Sequence, residues 1–111
     1  MMSKTTPLLL LALAAGAAAA LPAMAADAAA GRQKARQCQT CHGLDGIAKI
    51  PIAPHLAGES QIYLETQLKA FRSGKREHEM MSVVARDLSD EDISDLAAWY
   101  ASIQIKATLP E

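Results

Sequence analysis

The chain has 111 residues, eleven Lys/Arg against twelve Asp/Glu and a formal net charge of −1. That length limits it to one domain beyond any targeting segment, and the near-neutral balance excludes the strongly basic character usual in nucleic-acid binders. The part after residue 25 holds one Trp, two Tyr and one Phe, which is thin for a self-sufficient core.

The first segment reads as an export signal. Lys4 supplies a short positive start, Leu8 to Leu21 form an Ala/Leu-rich apolar run, and Pro22 breaks it. Ala23-Met24-Ala25 gives the small-x-small pattern of a signal-peptidase site. The run is short of the ~20 residues needed to span a bilayer, which weighs against an anchor. Residues 1–25 are therefore expected to be removed. The mature chain would run from Ala26 to Glu111, with ten Lys/Arg against twelve Asp/Glu and no membrane span. A bacterial periplasm is the expected location.

The mature pattern is helical throughout. Ala28 to about Thr40 reads as a first helix, with the small residues Gly31, Ala35 and Cys38 at i, i+4 and i+7 on one face. It runs into Cys38-Gln39-Thr40-Cys41-His42, which holds the only two cysteines of the chain. This C-x-x-C-H run is the attachment signal of c-type haem. Residues three apart on a helical turn project the same way, so both sulfurs reach one porphyrin. The next residue, His42, then offers an imidazole to the iron.

Three other readings compete for these residues. A plain disulfide would leave His42 incidental. Structural zinc wants four Cys or His ligands, and only His55 and His78 remain, at no zinc-finger spacing. A thioredoxin-like motif needs a strand before its helix, and no strand pattern precedes Cys38. Export favours haem, since in an oxidising compartment two adjacent thiols would otherwise pair. A buried porphyrin would also supply the bulk that the aromatic-poor core lacks.

Gly43 to Gly58 reads as loop, with three glycines and two prolines. A second helix is expected from Ser60, as N-cap, to Ser73, with Leu64, Leu68 and Phe71 as its buried stripe and Gly74 as its stop. A polar stretch, Lys75 to Glu79, leads to Met80-Met81 and a short apolar turn through Val84. The last helix opens on Ser89-Asp90-Glu91-Asp92, a capping box, with Leu88 and Ile93 as its hydrophobic staple. Ile93, Leu96, Ala97, Tyr100 and Ile103 carry its stripe to about Gln104.

Taken in order, these residues resemble the small bacterial class I cytochromes c, and each half of the related two-haem forms. The matching pieces are Gly31, Cys38 to Gly43, Pro54-His-Leu-Ala-Gly58, Tyr63-Leu64 with Gln67-Leu68, Phe71, Gly74, Arg76, Met81, Leu88-Ser89, Asp92-Ile93, and Leu96 to Tyr100. The resemblance implies an all-α fold of about four helices wrapped around one covalent haem c. It implies Met81 as the sixth iron ligand, with Met80 as rival. It also implies a proline carbonyl, that of Pro51 or alternatively Pro54, on the non-ligating nitrogen of His42. Gly31 would face the Trp99/Tyr100 turn of the last helix. Tyr63, Gln67 and Arg72 are candidates for reaching the haem propionates, although helix surface is the plainer reading of Gln67 and Arg72. His55 and His78 fall in polar loops and read as solvated.

The expected function is single-electron transfer between periplasmic redox proteins by a monomer or in transient complexes, with no substrate bond made or broken. The alternative is a cytochrome subunit of a periplasmic dehydrogenase; a gas-binding haem protein with an open sixth position is a third class. Lys69, Arg72, Lys75 and Arg76 form a basic cluster that would steer an acidic partner, or that is simply a solvated face.

Overall fold

The computed structural model describes residues 1–20 and 25–111, and the break and cleavage pattern expected at Pro22 to Met24 lie outside the described residues. Residues 1–20 are exposed and without regular structure. Five α-helices follow among the described residues: α1 (Ala28–Lys34), α2 (Gln39–His42), α3 (Gln61–Ser73), α4 (Met81–Ala85) and α5 (Asp90–Ser102). No strand occurs among the described residues, and no described helix is long and apolar enough to cross a membrane.

The expected first helix is interrupted. Ala35–Gln37 form a 3₁₀ turn between α1 and α2, closed by the Cys38 amide donating to the Ala35 carbonyl at 2.9 Å. A 3₁₀ residue advances about 20° further round the axis than an α-helical one. The turn therefore swings the Cys38–His42 segment off the face that α1 sets. The Asp27 carboxylate starts α1 by accepting from the amides of Ala29 and Ala30 at 2.8 and 3.1 Å.

α3 follows its sequence signals. Ser60 Oγ accepts from the Tyr63 amide at 3.1 Å, and Gly74 ends the helix in the left-handed region at φ 83°. α5 has the full capping box, with Ser89 and Asp92 exchanging side-chain-to-amide bonds of 3.0 Å in both directions. Its buried face of Ile93, Leu96, Ala97 and Tyr100 joins Leu64, Phe71, Ala85 and Leu88 in one core. Leu88 and Ile93 are both buried there, as a staple requires.

α1 crosses α5 closely at Gly31. A methyl group on Gly31 would collide with the Asp95 carbonyl and sit 2.9 Å from Trp99 Cβ, so only glycine permits the approach. Asp95, 3% exposed, ties the two helices at this crossing. Its carboxylate takes the Asp27 amide at 2.8 Å and Lys34 Nζ at 2.7 Å, and Lys34 also reaches Asp92 at 2.9 Å. These neighbours hold the Asp95 carboxyl below the usual carboxylate range, the Lys34 hydrogen bond foremost.

Candidate functional site

α2, α3, α4 and α5 surround a cleft of about 350 Å³ that opens to solvent on one side. Cys38, Cys41 and His42 form one wall, Met80 and Met81 line it too, and Leu64, Phe71, Leu88 and Leu96 give it an apolar floor. A second, shallower depression lies between Gly74 and Arg86 and holds none of the motif residues. The chemistry sits in the first.

His42 is 8% exposed, and its Nδ1 lies 2.9 Å from the Pro54 carbonyl oxygen. A carbonyl only accepts, so Nδ1 carries the hydrogen and Nε2 is left with a free lone pair. This corrects the choice of Pro51. Pro51 is exposed and not among the cleft residues, whereas the loop brings Pro54 round to His42. The loop is shaped for this by main-chain bonds: the Lys49 amide donates to Cys41, and those of Leu56 and Ala57 both donate to the Gly46 carbonyl. His55, expected to be free, accepts the Ala48 amide on its Nδ1 at 2.8 Å and stiffens the same loop.

α5 clamps the turn that follows His42. Tyr100 Oη donates to the Gly43 carbonyl at 3.0 Å, and Trp99 Nε1 donates to the next carbonyl, of Leu44, at 2.9 Å. Both thiols are free and partly buried. Burial pushes the Cys38 thiol up to about 11, with the Tyr100 hydroxyl close enough to oppose the shift in part. Burial likewise raises Tyr100, and neighbouring Cys38 adds to the rise.

Also lining the cleft, Met81 is half-buried and packs against the core, while Met80, next to it, is 46% exposed. Tyr63 and Gln67 line the cleft, Gln67 against its plainer reading as helix surface. Arg72 does not: its guanidinium is spent on the Leu88 carbonyl at 2.9 Å and on Asp90 at 2.6 Å. Arg76 stands at the cleft instead, 4.6 Å above the Phe71 ring and bonded to Gln67 Oε1 at 2.8 Å. Helical periodicity could not find Arg76, because Gly74 has already reversed the chain and the Arg76 amide turns back to the Ala70 carbonyl. His78, read as solvated from sequence, also lines the cleft.

The donor set fits a haem. Two thiols, an imidazole with its Nδ1 held by a carbonyl, and a thioether line one cleft together with apolar side chains. Among the described residues no group of three His, Cys, Asp or Glu is arranged to hold a bare metal ion.

The family model for cytochrome c matches residues 28–104. Cytochrome c-554(548) of Halomonas halodenitrificans is 49% identical over 79 residues, a match covering 68% of this chain and 95% of that protein. Cytochrome c4 of Pseudomonas aeruginosa is 45% identical over 76 residues, covering 68% of this chain but only 38% of its own length. A thiosulfate dehydrogenase electron acceptor of Stutzerimonas stutzeri is 39% identical over 75 residues, which is 65% of this chain and 35% of that one. The crystal structure of reduced cytochrome c4 from Pseudomonas stutzeri superposes with a TM-score of 0.67 at 36% identity, covering 72% of this chain and 47% of that one. The chain thus spans half or less of the c4 proteins it matches. A family match along residues 28–104, on a helical fold whose cleft carries the C-x-x-C-H run, means that this chain belongs to the cytochrome c family, as an electron-transfer protein carrying haem c through Cys38 and Cys41.

Proposed function

We propose that the chain is a single-haem electron carrier of the periplasm, mature from Ala26, with His42 and Met81 as the two iron ligands. The observation that carries the reading is the convergence of Cys38, Cys41, His42 and Met81 on one apolar cleft. Haem bound there would supply an iron that gains and loses one electron.

The chain's own residues do the rest. The Pro54 carbonyl fixes the His42 ring and makes Nε2 a stronger donor. Met81 is favoured over Met80 because its side chain packs on the core, whereas Met80 is held by little and half faces solvent. A sulfur ligand opposite His raises the potential relative to a second imidazole. Leu64, Phe71, Leu88 and Leu96 keep water from the floor and disfavour the more highly charged ferric state. With two protein ligands in place no coordination position remains for a substrate, which matches a relay role. Tyr63 and Ile52, both exposed at the cleft, leave an edge where a partner can approach.

The test is a potentiometric titration of the purified holoprotein, followed by absorbance. A single one-electron wave is expected, with the red-region sulfur-to-iron charge-transfer band in the ferric form and little carbon monoxide uptake by the ferrous form. Two waves, or rapid carbon monoxide binding, would count against it.

A second reading has support from the relative named as a thiosulfate dehydrogenase electron acceptor. The chain would then work as the cytochrome partner of a periplasmic dehydrogenase. Co-purification of the native protein with a catalytic chain favours this; a freely monomeric product favours the carrier.

A further inference from the structure

We infer that His78 is the positioning residue of the sulfur ligand: its imidazole braces the turn that leads into α4 and holds Met81 toward the cleft. The inference rests on the reading of Met81 as ligand.

His78 Nδ1 accepts the amide of Met80 at 3.2 Å and that of Met81 at 3.4 Å. The main chain of His78 closes the same turn from the other side. Its amide donates to Ser82 Oγ at 3.0 Å, and its carbonyl accepts the Ser82 amide at 2.9 Å. Four hydrogen bonds therefore bracket the two methionines within residues 78–82.

The pattern has a physical precedent in the same molecule. Asp27 accepts from the amides two and three residues on, and so starts α1. Asn and Asp do this because an oxygen bonded to Cγ reaches those amides. Nδ1 of histidine is likewise bonded to Cγ, so a ring with its hydrogen on Nε2 can take the place of an Asn. α4 needs such help. It has five residues, too few to be stable alone, and only Ala85 within it is buried.

The position of the turn explains why the cap matters. Met80 ends that turn and Met81 opens α4, and both line the cleft. If the two amides lose their acceptor, the turn can unwind and Met81 can rotate outward or exchange with Met80. His78 would thereby act on the iron without touching it, through the backbone of the ligand.

The experiment compares holoprotein variants at one pH, reading the charge-transfer band and the rate of carbon monoxide binding to the ferrous form, which reports how often the sulfur is off. Loss of an N-cap of this kind corresponds to about a fivefold shift in a local equilibrium. His78→Ala is expected to raise the carbon monoxide rate about fivefold, while His78→Asn, which keeps an acceptor on Cγ, stays within about twofold of the parent. Should His78→Ala fail to fold, Ser82→Ala removes the acceptor of the His78 amide and is expected to raise the rate in the same direction. A His78→Ala protein that melts earlier but keeps the parent's carbon monoxide rate overturns the inference, as does an equal rise in His78→Asn. A parent protein without the charge-transfer band would instead overturn the Met81 reading, so the two failures are distinguishable.

Discussion

His42 Nδ1 and the Pro54 carbonyl oxygen are 2.9 Å apart across twelve residues of sequence. That bond links the end of α2 to the far side of a glycine- and proline-rich loop, and it decides which imidazole nitrogen faces the cleft. In the ferrous protein the His42 Nδ1 proton is expected as a slowly exchanging NMR resonance with through-space contacts to Pro54. Contacts to Pro51 instead would reassign the acceptor.

Tyr100 holds the same loop from α5. Its hydroxyl is buried against the Gly43 carbonyl, and Tyr100→Phe would leave that carbonyl with only the longer bond from the Gly46 amide, at 3.3 Å. Losing one of its two donors costs about 0.5–1.5 kcal/mol, so denaturant unfolding of the holoprotein should show a loss in that range. A variant as stable as the parent would show that the bond is dispensable.

Much of this was legible in the sequence, and the parts that were not share a cause. The capping box at Ser89 and Asp92, the Ser60 cap and the Gly74 stop are local chemistry, and each stands where the pattern put it. Gly31 signalled a close crossing because a glycine inside a helix needs a packing reason, although the Asp95 carbonyl that meets it has no sequence signature. The proline carbonyl belongs to Pro54, the alternative, and not to Pro51 three residues earlier. A main-chain acceptor leaves no trace in side-chain type, and the loop path that brings Pro54 to His42 is set by amides converging on Gly46. Arg76 at the cleft escaped helical periodicity because the left-handed Gly74 comes before it, whereas Arg72 lies away from the cleft, as its plainer reading had it, held by Asp90.

Acid should loosen the α1–α5 crossing. The Asp95 carboxyl lies below its ordinary value in the folded state, chiefly through Lys34. A depressed carboxyl contributes stability that is fully present above the unfolded value, about 3.9, and is lost as pH falls through the folded one. Stability of the holoprotein should therefore fall steeply below about pH 4. Asp95→Asn should be less stable at neutral pH and show a flatter acid limb. An unchanged limb would remove Asp95 as the cause.

Met81 and Met80 can be separated directly. Met81→Ala is expected to abolish the ferric charge-transfer band and open the ferrous form to carbon monoxide, whereas Met80→Ala keeps the band. The reverse outcome would hand the ligand role to Met80.

The central claim is that one chain carries one covalent haem after export, and intact mass of the protein purified from the periplasm tests it most directly. The account predicts the mass of Ala26 to Glu111 plus a single haem, retained under denaturing conditions because Cys38 and Cys41 hold it. A mature chain that runs without covalent haem, or with its two cysteines joined as a disulfide, would contradict it.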